Sequence, residues 1–334
     1  MIRFARTHRY FAACLLGVAP AAFAADPPMP APDEVVTAIE EAFGVTLGAR
    51  RNHIKGVCAS GEFVGTPEAR RISRSTLFSG KPVPVVARFS LAGGNPNAPD
   101  TAKSSRGLAL QFKLPSQQLH HITMLNTPMF GAAHPQTFLH LMQALKPDPA
   151  TGKPDPEKLK AFKASHPDNQ AQADYLASRN PPANYASSSF WGIHTFKFVD
   201  KRNKATLVRW QFVPADGEKR LADDEMKTAG AHFLNAALRE RLAQGPARWD
   251  MMVSIGQAGD PENDPTVLWP TERKQIKAGT LTLRSADADG AGACVDVNFD
   301  PMVIAAGIAP TDDPVLRFRS PAYAVSFAKR LTEK

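Results

Sequence analysis

The chain has 334 residues, and its 40 lysines and arginines against 32 aspartates and glutamates give a net charge of +8. That length can bury a sizeable core, and a mild positive bias without dense Lys/Arg blocks excludes nucleic acid as the expected partner. Only 4 tyrosines and 3 cysteines occur, so the position of each carries information.

The first thirty residues, MIRFARTHRYFAACLLGVAPAAFAADPPMP, put Arg3, Arg6 and Arg9 ahead of an apolar run too short to span a bilayer, followed by Ala22-Phe23-Ala24. That order is a secretory signal with an A-x-A site cleaved before Ala25. Cys14 precedes most of the apolar run, the wrong side for a lipid-anchor cysteine. The expectation is a signal peptide over 1–24 and one domain over 25–334, periplasmic, with no membrane insertion after cleavage. Losing three arginines lowers the charge from +8 to +5 (37 against 32). The remainder is long for one domain, but all-β barrels run larger than most single units. Two cysteines survive, Cys58 and Cys294, which either pair in an oxidising compartment or stay as two small buried residues.

From Asp33, DEVVTAIEEAFG places Val35, Val36, Ile39 and Phe43 on one helical face, with acidic residues in the first turn and Gly44 as a stop. The period then changes to two in KPVPVVARFSLAGG and RGLALQFKLP, clearest at Leu108, Leu110, Phe112 and Leu114. Strand-like runs follow at HTFKFVD, ATLVRWQFVP, RWDMMVSIGQ and GTLTLRS. These strands and turns, with helices at both ends, predict an α+β chain built on a largely antiparallel sheet closed into a barrel. Residues 146–184 are polar and Pro-rich and read as a surface excursion; 221–244 and the last twenty or so residues read as helical.

Five short stretches hold residues with chemical potential. In ARRNHIKGVCASGEF, His53 lies among cations, which disfavour the imidazolium and keep a base available at neutral pH. Arg88 and Ser90 share one face of a strand while Phe89 points the other way. On the inside of a barrel that pair needs a polar ligand such as a carboxylate; on the outside it is an ordinary solvated face. Asn126, Phe130 and Phe138 flank a Thr-Pro turn, and His120-His121 before them face opposite ways on a strand, which argues against a shared metal. His194 reads as a core histidine in an apolar strand. Arg319 and Tyr323 stand at i,i+4 on one helical face.

Taken in order, RRNHIKG, ARFS, SSRGLALQFKL, LNTPMF, IHTFKFVD, LWP, VNFDPMVIAAGIAP and DDPVLRFRSPAYAVSFAKR resemble the haem catalase family across nearly all of the chain after the signal. The chain resembles in particular the short, exported catalase-related peroxidases, which keep the haem-holding core alone. The resemblance implies a closed antiparallel barrel of about eight strands with flanking helices. It implies haem b as cofactor, with Tyr323 as axial ligand to the haem iron and Arg319 against its phenolate oxygen. His194 and Asp313 match the partners that continue this proximal chain. Arg50, Arg88 and Arg330 match the arginines that bind the haem propionates. His53 matches the distal catalytic histidine and Ser90 its hydrogen-bond partner.

One position departs from the family pattern. Two asparagines precede Thr-Pro in the family, the first acting on peroxide; here the pair is Leu125-Asn126, so either Asn126 takes the role shifted by one residue or the pocket lacks its amide. The paired phenylalanines after Thr-Pro are reduced to Phe130-Gly131, which widens the pocket beside the haem. The resemblance thus implies a peroxidase that reduces hydrogen peroxide or organic peroxides with a small organic reductant. Competing readings are residual true catalase activity, rearrangement of fatty-acid hydroperoxides, and a non-catalytic haem carrier or sensor. A monomer or homodimer is expected, because the arm that interlocks larger catalases is missing.

Overall fold

The structure, a computed structural model, describes Met1 and residues 28–333; the expected signal and its cleavage site lie outside the described residues. Helix α1 (Pro32–Phe43) leads into strand β1 (Gly56–Gly65), short helix α2 (Pro67–Ile72), and strands β2 (Val83–Leu91), β3 (Arg106–Lys113) and β4 (Leu119–Leu125). Helices α3 (Pro135–Leu145), α4 (Pro156–Ser165) and α5 (Gln170–Ala177) form the excursion, followed by β5 (Phe190–Trp191), β6 (Phe196–Val199) and β7 (Ala205–Pro214). Then come α6 (Glu225–Thr228), α7 (Leu234–Ala243), β8 (Ala247–Ile255), β9 (Gln275–Ala286), β10 (Ile308–Pro310) and α8 (Pro314–Thr332).

Pairing runs β7-β5-β4-β3-β2-β1-β9-β8 and returns to β7, an antiparallel ring of eight strands, with β6 and β10 continuing from β7 outside the ring. Closure removes sheet edges and encloses one face of every strand. The enclosed face is aromatic: Phe63 meets Phe112 edge-on at 5.5 Å, Phe89 stacks on Tyr185 at 5.0 Å, and Phe196 stacks on Trp210 at 4.5 Å. A barrel filled with rings has no room for a ligand in its lumen. The functional cavity therefore lies outside the ring.

Alternation along the strands decides what reaches it. On β2, Val83, Val85, Ala87 and Phe89 join the core, so Arg88 and Ser90 project from the outer face. Both are nonetheless buried, which neither expectation for them combined: the outer face is covered rather than solvated. The cover is α1, α3 and α8, whose contact is led by Val35, Ile39, Leu139, Met142 and Phe318. Arg51 secures it, donating to Glu40 of α1 at 2.5 Å and to Glu333 just past α8, while Lys329 also reaches Glu40 at 2.7 Å.

Four strands lie outside the six runs read from the sequence: β1, β4 and the short β5 and β10. β1 is rich in small residues and buried irregularly, because both its edges are paired and Gly61 lies close against the backbone of Thr282. β4 carries His120 and His121 on opposite faces as expected: His120 stacks on Phe112, and His121 turns to Gln111 and the Asp300 carbonyl. His194 sits at a bend just before β6, not in a strand. The helical stretch at 221–244 is broken into α6 and α7.

Phe63 is fully buried among Phe78, Phe112 and Phe212. Phe63→Ala is expected to destabilise the apoprotein by about 3–5 kcal/mol in urea or guanidinium unfolding; a loss below about 1 kcal/mol would mean the ring is not the packing centre described.

Candidate active site

A cavity of about 550 Å³ lies between the outer face of β2–β4 and the covering helices. His53 and Tyr323 both line it, with Arg50, Arg88, Ser90 and Arg319. Much of the remaining wall is apolar, including Val36, Phe43, Phe138, Leu141, Phe299 and Phe318.

His53 is held by its backbone as well as its ring. Its φ of 55° is left-handed, an uncommon conformation for a non-glycine residue. Asn52 Oδ1 fixes it, accepting from the His53 and Gly93 backbone N–H groups at 2.8 Å each. The ring shares a hydrogen bond between Nδ1 and Ser90 Oγ at 2.9 Å. Gly107, opposite Ser90 across β2 and β3, makes that pair possible: a Cβ there would stand 2.8 Å from Ser90 Oγ and 3.1 Å from the imidazole. Burial, followed by Arg88, Arg319 and Arg50, pulls the His53 pKa down to about 3. The lowering expected from neighbouring charge is present, with desolvation as its larger cause.

On the opposite side, a guanidinium that can only donate sets the direction of the hydrogen bonds in a four-residue chain. Arg319 donates through Nη2 to Tyr323 Oη at 2.6 Å and through Nη1 to His194 Nε2 at 3.2 Å. Arginine cannot accept, so His194 Nε2 is the acceptor and Nδ1 carries the hydrogen. That Nδ1–H donates to Asp313 Oδ2 at 2.6 Å. Asp313 Oδ1 meanwhile caps α8, accepting from the Val315 and Leu316 N–H groups at 2.8 and 3.1 Å. Burial keeps the His194 pKa below its ordinary value despite Asp313, in line with a neutral ring.

Between these sides stands a group of cations. Burial, with Arg88 and Arg330 nearby, lowers the Arg50 pKa to about 9; burial and Arg330 lower that of Arg88 to about 10. The hydrogen bonds they make are to backbone carbonyls: Arg50 to Cys294 and Val295, Arg88 to Ile54, Arg330 to Val295 and Asp296. Three guanidiniums that repel one another at an apolar cavity match a flat apolar ligand bearing carboxylates.

The family's model for "Catalase" matches residues 46–334. The chain belongs to the catalase family. A catalase-related peroxidase of Synechococcus elongatus is 55% identical over 315 residues, covering 94% of this chain and 92% of that protein. One of Mycolicibacterium paratuberculosis is 32% identical over 300 residues, covering 90% and 94%. Among solved structures, a bacterial catalase superposes with a TM-score of 0.76 at 26% identity, covering 86% of this chain and 58% of that one. Catalase A from Saccharomyces cerevisiae gives 0.78 at 24%, covering 86% and 62%. The chain thus spans about three fifths of these solved catalases, and their likeness extends to the barrel and its flanking helices.

Catalases generally bind haem, and the cavity fits that group: a phenol held by an arginine on one side, a neutral imidazole on the other, and a cluster of three arginines that, among the described residues, hydrogen-bond backbone carbonyls rather than carboxylates. Of the residues expected at the site, His53, Ser90, Arg50, Arg88, Arg319, Tyr323 and His194 line the cavity. Asp313 and Arg330 stand behind it, acting through His194 and the 295–296 carbonyls.

Asn126 does not join them. Its Oδ1 accepts from the Arg106 N–H at 2.7 Å and its own N–H donates back to the Arg106 carbonyl, so the amide serves the backbone while Leu125 lines the cavity. A shift of one residue is ruled out by strand alternation, since Leu125 pairs with Gly107 on the cavity face. Sequence reasoning missed Asn52 and Gly107, whose roles depend on a left-handed backbone and a strand register. It left Cys58 and Cys294 open; they form a disulfide with Cα atoms 5.4 Å apart.

Because the folded His53 value lies below the ordinary one, the ring stays neutral through the physiological range. The unfolded chain binds this proton first, so the stability contributed here is complete above about pH 6.5 and declines as pH falls toward 3. Nitrogen-15 NMR of imidazole-labelled apoprotein should show His53 neutral at pH 5. A midpoint near 6.5 would contradict the burial and charge described.

Proposed function

We propose that this chain is a haem-dependent peroxidase that reduces hydrogen peroxide or an organic peroxide with electrons from a small organic donor, working on haem b in the periplasm as a monomer or homodimer. The observation that carries this reading is the Arg319 guanidinium bridging Tyr323 and His194 across a cavity from a neutral His53. The exported location is supported by the signal-like N-terminal sequence and by the Cys58–Cys294 disulfide, a bond that persists in oxidising compartments.

Haem, when bound, supplies the redox-active iron and the porphyrin's electrons. Tyr323 would hold the iron through its phenolic oxygen. Arg319 donates a charge-assisted hydrogen bond to that oxygen and would hold it in place for the iron. Asp313 and His194 keep Arg319 aimed, and Arg50, Arg88 and Arg330 would neutralise the two carboxylates.

His53 handles the peroxide proton. With Nδ1–H donated to Ser90 Oγ, its Nε2 lone pair is available to take the proton from the peroxide and return it to the departing oxygen. The balance is one peroxide and one donor carrying two electrons and two protons, giving water, an alcohol or second water, and the oxidised donor. Disproportionation instead needs a second peroxide to be positioned well. Leu125 gives the distal wall an apolar group in place of an amide, which favours an organic donor over that second peroxide.

Tyr323→Phe should shift or abolish the Soret band of the reconstituted protein; an unchanged band would refute the ligand assignment. His53→Ala should retain haem yet slow the reaction with peroxide by about 10²–10⁴-fold in stopped flow. Dioxygen release matching peroxide consumption with no added donor would make the protein a true catalase instead.

A further inference from the structure

The loop 287–300 between β9 and β10 carries the backbone groups on which two of the three clustered arginines rest. Arg50 Nη2 donates to the Cys294 carbonyl at 2.8 Å and to Val295 at 3.0 Å; Arg330 donates to Val295 at 3.1 Å and to Asp296 at 3.3 Å. Three successive carbonyls thus orient two arginines that arrive from opposite ends of the chain. The loop itself has no strand or helix to brace it.

Its bracing is covalent. Cys294 is joined to Cys58 near the start of β1, directly opposite Arg88 in the β1–β2 register. The Asp287 N–H donates to the Cys58 carbonyl at 2.9 Å, so the start of the loop is tied to the same residue. Cys58, Val86, Cys294 and Phe299 form a small buried cluster of their own, and Phe299 continues from it into the cavity wall with the Arg50 guanidinium 5.8 Å from its ring centre. Downstream, Asp300 is fixed by His121 and by Ser320 of α8. The disulfide therefore links the strand neighbouring Arg88 to the loop that aims Arg50 and Arg330.

We infer that the Cys58–Cys294 disulfide is a positioning element for haem retention: by fixing the 294–296 carbonyls against β1, it holds Arg50 and Arg330 in place to grip the haem carboxylates. This rests on the haem reading above. An unfixed loop would let both guanidiniums follow their carbonyls away from the cavity, and their mutual repulsion would favour that separation. The residues named are distinct from those that would bind iron or move the proton.

The experiment measures haem loss from the reconstituted protein to excess apomyoglobin, comparing wild type with a Cys58→Ser/Cys294→Ser double variant. The variant should lose haem about tenfold faster or more, as supporting contacts behind a bound group commonly do. Repeating the transfer with iron protoporphyrin dimethyl ester, whose carboxylates are blocked, should bring the two rates together. Equal rates with ordinary haem, or an undiminished difference with the dimethyl ester, would overturn the inference while leaving the haem reading intact. A wild type that takes up no haem would overturn both. If the double variant does not fold, wild type treated with a phosphine reductant after folding replaces it and is read in the same way.

Discussion

A single guanidinium, that of Arg319, sets the order of the site. It bonds Tyr323 and His194 at once, and because it has donors only, it removes every tautomeric choice from its partners. His194 must accept at Nε2 and donate at Nδ1, which requires an acceptor on its far side. Asp313 provides it, and its second oxygen satisfies the first N–H groups of α8, the helix that carries both Arg319 and Tyr323. The chain closes on itself: the helix start that places the arginine is capped by the carboxylate that the arginine's partner needs. Removing His194 or Asp313 leaves the other, which is buried, with an unpaired polar atom, at a cost of about 1–3 kcal/mol or more for a charged one.

The barrel explains why such a network sits where it does. Its lumen is occupied by aromatic rings, so polar function is possible only on the outer face, which bulk water would ordinarily claim. Covering that face with α1, α3 and α8 changes the meaning of Arg88 and Ser90 from solvated residues to buried ones. The cover needs its own fastening, and Arg51, nearly inaccessible beneath it, joins Glu40 on α1 to Glu333 beyond α8. A buried ion pair adds little net stability, but it specifies which helix ends meet. Here that meeting places the Tyr323 face of α8 toward β2 and β3.

Much of this was legible from residue order. The period-two runs of β3 and β7 and the amphipathic α1 matched because each has one apolar face and one that is less so, and the terminal helix matched as well. Strands β1 and β4 were harder: when both faces of a strand are covered, alternation no longer separates apolar from polar. The pairing of Cys58 with Cys294 depends on a loop meeting a strand across 236 residues, and nothing local announces it. The direction of Asn126 is similar. Its side chain is fixed by the Arg106 backbone, a neighbour that only the β3–β4 pairing supplies.

The cation cluster has two consequences that act in the same direction. Burial lowers the proton affinity of Arg50, Arg88 and Arg330, with Arg88 and Arg330 adding to it at Arg50 and Arg330 at Arg88, so the cluster gains from an anion that enters, and two carboxylates on one ligand answer the need together. The positive charge at the cavity also disfavours the imidazolium of His53. A dicarboxylate ligand relieves the repulsion among the arginines and with it part of that electrostatic pressure. Desolvation, the first cause of the shift, would persist, since an apolar ligand filling the cavity removes water from the ring rather than adding it. The site can therefore satisfy its arginines and still keep a neutral base facing the reaction side.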